Sequence, residues 1–354
     1  MSDTAAIELL KRAVQLDGEQ KYPDALTCYS EAIRMLLKVV KDIPMSEERK
    51  RTAYQQKITE CMDRAEKLKE SIEQKKGFIG GGRIIQALLD GLNEADYLDK
   101  MHIWISCPSA EDDKSLLKRF NNTIHMTTSN TVLCNNCDIV LFAVKAKLIK
   151  SVCQEIIKTV DNERLKKILF ISIIPGLTIS TLNQWLQTGE NIIRIMYNVN
   201  VAKRNGSYAI ASSKTNDNNP LQIYLKSIFD KVADFAGNVT ETELDIMCAL
   251  IGSGPAFFCT AVEGLADGAV KAGLSRQLAN TLAARTMLGC ADILVSSSKH
   301  PAELKNDIST PAGTTIYGLH ELENKGVRGA YMDALMSAFN RAQTMADQLA
   351  KETK

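Results

Sequence analysis

The segment Gly77-Phe78-Ile79-Gly80-Gly81-Gly82-Arg83-Ile84-Ile85-Gln86-Ala87 constrains the fold of this chain more than any other. A short apolar strand runs into a glycine turn and directly out into a helix. In such a loop the first glycine permits the tight turn and the second lets backbone N–H groups approach a phosphate. The phosphate then rests on the helix N-terminus. Gly80 and Gly82 fit these roles, and Ile79, Gly81, Arg83 and Ile84 complete the loop facing a dinucleotide. The third position of the pattern, small for close helix–strand packing, is Ile85 here, which predicts crowding near the phosphates.

Beyond the loop the chain keeps to the same plan. Apolar, β-branched runs recur at 102–106, 138–144, 167–174, 191–198 and 207–213, several of them separated by helix-like stretches. That alternation predicts βαβ units and a mainly parallel sheet. The flanks have a different rhythm. Leu9, Leu10, Ala13 and Leu16 recur at three- and four-residue spacing, as do Ala25, Leu26, Tyr29, Ala32, Ile33, Leu36, Leu37 and Val40. A third stripe runs Tyr54, Ile58, Met62, Ala65, Leu68 and Ile72. Three amphipathic helices with short connections predict a three-helix bundle. From 242 onward the chain is helical again. The reading is an all-α bundle over 1–76, a Rossmann-type α/β dinucleotide-binding domain over 77–241, and an all-α domain over 242–354.

Composition excludes several function classes. Lys+Arg 43 against Asp+Glu 42 leaves a net charge of +1, with no basic block to bind nucleic acid or an anionic membrane. No apolar run is expected to reach the ~18 residues of a membrane span. Asp3 and Glu8 sit where a secretory signal would be apolar. Nine cysteines, an odd number spread along the chain, argue for a reducing, cytoplasmic setting. Cys134-Asn135-Asn136-Cys137 lacks the second ligand pair of a zinc site, and no His spacing suggests a metal.

The second strand bears on cofactor choice. An NAD site usually places Asp or Glu at its tip, on the ribose hydroxyls. Here the tip reads Ile105-Ser106-Cys107-Pro108, without a carboxylate. Ser106 is expected to donate to a 2′-phosphate, giving NADPH as cofactor with NADH as the alternative.

Two later stretches identify a resemblance. Gly252-Ser253-Gly254-Pro255-Ala256-Phe257 is followed by Glu263 and Gly273-Leu274. Then comes Ile308-Ser309-Thr310-Pro311-Ala312-Gly313-Thr314-Thr315-Ile316-Tyr317-Gly318-Leu319. Together with Phe78-Ile79-Gly80-Gly81-Gly82 and Ala143-Val144-Lys145, these resemble pyrroline-5-carboxylate reductase from residue 77 to about 345. The resemblance implies reduction of 1-pyrroline-5-carboxylate to L-proline by hydride from NADPH. It places Ala143, Val144, Lys145, Cys107 and Asn130 at the cofactor. Ser309, Gly313, Thr314 and Thr315 fall at the substrate, with Thr315 as the catalytic residue beside the imine nitrogen. It also implies a homo-oligomer, a dimer through the helical domain and up to five dimers in a ring. An amide-rich helix start opened by Pro311, Ala312 and Gly313 would suit the substrate carboxylate. The chain departs from the family pattern at Ile85, Cys107, Ala146, Asn200 and Ala312, which sets a catalytically impaired body, serving as an oligomeric adaptor, as the alternative. A β-hydroxyacid dehydrogenase is disfavoured because 252–264 contains no Lys.

The bundle resembles a different family. Tyr22-Pro23-Asp24-Ala25-Leu26 and Met62-Asp63-Arg64-Ala65-Glu66-Lys67-Leu68 are similar to an MIT (microtubule-interacting and trafficking) domain. That resemblance implies binding of helical ESCRT-III tails, with Met62, Ala65 and Leu68 at the groove, and an association with endosomes.

Overall fold

The computed structural model describes residues 3–19, 22–44, 47–71, 74–108, 116–120, 124–189, 191–212 and 220–351. It forms two compact units, Met1–Glu241 and Thr242–Glu352.

The first unit begins with three helices, α1 (Asp3–Gly18), α2 (Tyr22–Asp42) and α3 (Glu48–Ser71). Each turns its apolar stripe inward, so that Leu10, Ala13, Tyr29, Leu36, Ile58 and Leu68 share one core. Arg64 on α3 donates to both carboxylate oxygens of Asp17 on α1, at 2.7 and 2.6 Å. This fork holds the Asp17 carboxyl below its ordinary value, against the opposing effect of burial.

The bundle leads into an eight-stranded sheet: β1 (Lys76–Ile79), β2 (Ile103–Ser106), β3 (Ile124–Thr127), β4 (Ile139–Phe142), β5 (Leu169–Ser172), β6 (Ile192–Tyr197), β7 (Gly206–Ser212) and β8 (Ala233–Asn238). Its order is β3-β2-β1-β4-β5-β6-β7-β8. Pairing is parallel from β3 to β6, antiparallel between β6 and β7, and parallel again to β8. The first six strands thus have the doubly wound arrangement, whose direction of winding reverses between β1 and β4. The helices joining them are α4 (Arg83–Glu94), α5 (Asn130–Asn136), α6 (Ala146–Thr159), α7 (Asn162–Leu165), α8 (Ile179–Leu186) and α9 (Pro220–Phe229). β1, β4 and β5 are buried along their whole length, which is why they read as continuous apolar runs. Helix α4 packs so closely on the turn 199–203 that a Cβ at Gly91 would overlap the Val201 carbonyl.

The sequence pattern missed β3 and β8. Ile124-His125-Met126-Thr127 carries one fully buried apolar residue, and β8 contains Gly237 at an irregularity in its pairing with β7.

The second unit continues from α10 (Glu241–Met247) through a π-helical turn into α11 (Gly254–Lys271), α12 (Arg276–Ser297), α13 (Pro301–Ile308), α14 (Thr314–Asn324) and α15 (Val327–Lys351). The stretches Glu241–Lys271 and Arg276–Ser297 are long and apolar enough to cross a membrane by length and composition. This corrects the expectation that no run reaches that length. Most of their apolar side chains lie on the surface of a single chain, and the cluster where α11 meets α12 buries just Ala266, Ala279 and Ala283. So large an exposed apolar surface marks an interaction face.

Candidate functional site

The glycine loop is pinned between β2 and β4. Gly80 N donates to Ser106 O and Ala143 N to Ile79 O, both at 2.9 Å. Gly80 has φ +108°, and a Cβ there would sit 2.7 Å from the Ala143 carbonyl oxygen, so no other residue fits. Gly82 is different. A Cβ built on it meets nothing within 4 Å, so the protein itself does not require glycine there. Gly82 caps α4 with extended backbone and no side-chain hydrogen bond. The outcome is an exposed glycine at a helix N-terminus that has no side-chain cap, flanked by exposed Arg83 and half-buried Ile84. The free N–H groups of such a helix start suit an anion. Ile85, where crowding of the phosphates was expected, is fully buried in the core of the α/β domain with Leu88 and Leu89.

Ala143 and Val144 are half-buried and Lys145 is exposed at the cap of α6. Ala146 is the first helical residue, where a proline would also be accepted because its N–H has no intrahelical partner. The departure there leaves the geometry intact.

At the tip of β2 the structure corrects the sequence. Ser106 is 3% exposed, and its hydroxyl donates to Asn130 Oδ1 at 2.7 Å. The proton expected to serve a 2′-phosphate is directed inward. Cys107 is buried as well, its N–H bonded to Thr127 O at 3.0 Å. Asn130 opens α5 beside the cap residue Ser129, and its Nδ2 donates to Glu155 on α6 at 2.9 Å. Glu155 carried no signal in the sequence, being an ordinary acid on a helix surface.

The substrate motif lies in the second unit. Ser309 ends α13 and donates to Lys305 O at 2.8 Å. Gly313, rather than Pro311 or Ala312, is the cap of α14, and it has no side-chain hydrogen bond. A Cβ on Gly313 would overlap Thr310 Oγ1. Thr314 and Thr315 are the first two helical residues, exposed and half-buried respectively. Ala312 has φ 55°. The expectation of a helical backbone at 312 is therefore wrong: its methyl sits in the left-handed region, in the turn that the Gly313 N–H closes on Thr310 O.

In the bundle, Met62 is exposed but Ala65 and Leu68 belong to the core. Buried in the bundle core, they are closed to a partner. The open groove, of about 620 Å³, lies elsewhere. Ile7 and Val14 on α1 and Tyr54 on α3 line it, with Lys11, Lys50 and Lys57 around it.

Among the described residues no cluster of His, Cys, Asp and Glu could hold a metal ion. Burial pushes the thiols of Cys134 and Cys137 up to about 12, and their carbonyl oxygens accept from Arg164. These are inert core thiols.

Comparison with known proteins places these features. A pyrroline-5-carboxylate reductase from Methanosarcina acetivorans is 36% identical over 272 residues, 77% of this chain and 98% of the relative. The chain belongs to the pyrroline-5-carboxylate reductase family. It is an oxidoreductase with the Rossmann-type fold of that family. The cattle protein named pyrroline-5-carboxylate reductase 3 is 33% identical over 78% of this reductase and 87% of the relative. A Plasmodium falciparum pyrroline carboxylate reductase solved with NADP bound matches with TM-score 0.67 and 30% identity, covering 77% and 98% of the two chains. Residues 241–345 match the family model for pyrroline-5-carboxylate reductase dimerisation, and residues 75–176 that of NADP oxidoreductase, coenzyme F420-dependent. Residues 4–70 match the MIT (microtubule interacting and transport) domain. This reductase therefore joins an MIT-type bundle and an NADP-oxidoreductase-type Rossmann domain to a helical domain of the pyrroline-5-carboxylate reductase dimerisation type.

Proposed function

We propose that this chain reduces 1-pyrroline-5-carboxylate to L-proline, with NADPH or NADH as the donor, and that its bundle tethers the enzyme to ESCRT-III tails. The observation that carries the first part is the Gly80 turn, whose φ of +108° and close approach to the Ala143 carbonyl bring the chain to an exposed Gly82 at a helix start without a side-chain cap. The NADP in the Plasmodium relative supports NADPH as one donor. When bound, the nicotinamide supplies a hydride to the carbon of the C=N bond, while the nitrogen carries a proton. The chain's own task is to bind and orient. Ile79 to Ile84 receive the pyrophosphate, and Asn130 with Ala143, Val144 and Lys145 borders the nucleoside. Ser106 and Cys107 brace the tip of β2 from beneath. The N–H groups of Thr314 and Thr315 meet the substrate carboxylate at the start of α14, with Ser309 and Gly313 shaping the turn. The Thr315 hydroxyl holds the ring nitrogen.

The deciding experiment is oxidation of NADPH and of NADH by purified protein given pyrroline-5-carboxylate. A folded oligomer without turnover near neutral pH sinks the enzyme reading in favour of an adaptor. Thr315→Ala is expected to reduce kcat by roughly ten- to a hundredfold with the fold retained, in line with the loss of one group at the reacting centre. Unchanged kinetics would remove Thr315 from its role.

For the bundle, the lysine-ringed groove of α1 and α3 replaces the Met62–Leu68 face as the docking site, and its charge favours an acidic, amphipathic tail. Val14→Asp combined with Lys57→Glu should abolish binding of ESCRT-III tail peptides in fluorescence anisotropy and leave turnover unchanged. Retained binding discards the groove. This reading makes the protein a cytoplasmic, endosome-associated enzyme with work divided among 1–76, 77–241 and 242–354. The apolar face of the last stretch supports a dimer, and the resemblance supports rings of dimers.

A further inference from the structure

We propose that Glu155 is a cofactor-specificity residue: its carboxylate, brought from α6 to the amide of Asn130, disfavours a 2′-phosphate and biases the site toward the unphosphorylated dinucleotide. The inference rests on the cofactor site proposed above.

An NAD site ordinarily carries its discriminating acid at the tip of the second strand. Here β2 ends at Ser106 without one, yet a carboxylate from another element is joined to that tip through the amide of Asn130. Glu155 is exposed on α6, and one carboxylate oxygen accepts from Asn130 Nδ2 at 2.9 Å. Asn130 is the first residue of α5, two residues past the bend after β3, the strand hydrogen-bonded to β2. The acid is not free to swing away with its helix. Thr159 on α6 donates to the Glu155 carbonyl at 2.8 Å, and its hydroxyl lies 2.6 Å from that of Thr131 on α5. The two helices are thus tied at successive residues of α5.

The chemistry of the three side chains then has one polarity. A carboxylate can only accept, so it fixes the Nδ2 end of the Asn130 amide toward itself. The Oδ1 end faces Ser106 and takes that hydroxyl's proton at 2.7 Å. Ser106 is left with no proton to offer a phosphate, and one of the two Asn130 N–H groups is already engaged. A ribose hydroxyl, which both donates and accepts, suits this arrangement. A phosphate, which only accepts and carries like charge to Glu155, does not.

The test measures dissociation constants of NADPH and NADH without substrate, from nicotinamide fluorescence, for the wild-type oligomer and Glu155→Gln at low and high ionic strength. Glutamine keeps the length and an acceptor while removing the charge. The expected result is a fall of about tenfold in Kd(NADPH)/Kd(NADH) at low salt, shrinking at high salt, with the NADH constant changed less than about twofold. A second arm repeats the substitution in Ser106→Ala. If Glu155 acts partly through the relay, its effect on the ratio is smaller there. An unchanged ratio in Glu155→Gln, or a parallel loss for both nucleotides with a lower melting temperature, overturns the proposal and leaves Glu155 as a brace for Asn130. Wild-type protein that binds neither nucleotide overturns the cofactor site itself, an outcome distinct from the first two.

Discussion

Ala312 holds its methyl group at φ 55° one residue ahead of the glycine that caps α14. A side chain in the left-handed region costs about 1–2 kcal/mol, since the Cβ crowds the following carbonyl. Such strain persists only where surrounding structure enforces it. Here the turn is closed by the Gly313 N–H bond to Thr310 O at 3.1 Å, immediately before the residues proposed to meet substrate. Ala312→Gly should relieve the strain, while the freer unfolded chain takes back part of the gain. A net stabilisation of roughly 0.5–1 kcal/mol is expected in urea unfolding. A loss of stability would mean that the backbone at 312 is not held as described. The sequence showed that 312 departs from the family pattern but not what the departure does, because φ at 312 is set by how the turn between α13 and α14 closes. Ser106 teaches the same lesson. Its place at the end of β2 was legible, whereas the direction of its proton depends on Asn130 and Glu155, 24 and 25 residues further along in successive steps.

Among the elements, the bundle shows how far periodicity reaches. The stripes at three- and four-residue spacing located all three helices and most of their buried faces; Leu37 and Met62 are exposed, and Ile72 lies outside the described residues. They did not say which neighbour each face meets, and so Ala65 and Leu68 read as groove when they are core. Leu68→Asp would place an unpaired carboxylate at a fully buried site and unfold the bundle, so it says nothing about docking. The tie between α1 and α3 is a better probe. Asp17 is lowered chiefly by its hydrogen bonds from Arg64, so the folded bundle holds the charged form more strongly than the unfolded chain does. The stability this contributes is present above the ordinary aspartate value and is lost as pH falls through the lower folded one. Asp17→Asn should therefore be less stable than wild type by about 1 kcal/mol at pH 7, with the gap closing below about pH 4. Urea midpoints of the two proteins across that range measure it. A gap independent of pH would assign the effect to packing. In the α/β body, β1, β4 and β5 were legible because burial on both faces makes them continuously apolar. β3 and β8 were not, because β3 buries just Ile124 among polar and half-buried residues and β8 is broken by Gly237 at its irregular pairing with β7.

At the scale of the whole molecule, the second unit poses a problem of burial that one chain does not solve. α14 has no buried residue at all, and Phe258, Leu265, Leu288, Tyr317 and Met332 are each more than half exposed. Leu265 shares a groove of about 730 Å³ with Phe257, Leu322, Val327 and Tyr331. A polar substitution at a truly exposed site changes stability by no more than about 0.5 kcal/mol. If the groove is instead filled by a second copy, Leu265→Asp removes an apolar contact worth about 1.5–3 kcal/mol and buries a charge. An interface with two-fold symmetry repeats that loss. The variant should thus have a lower mass by light scattering, and a melting temperature that falls by several degrees and depends on protein concentration. An unchanged mass with unchanged melting would place Leu265 outside the interface. The same experiment bears on the tether. Each subunit brings one bundle, so an oligomer presents several grooves to a partner that repeats its tails, and binding gains by effective concentration without any new contact. Reducing the oligomer through Leu265 should therefore weaken attachment to a surface of clustered tail peptides far more than it weakens binding to a single peptide in solution. Equal losses in the two formats would show that each bundle works alone.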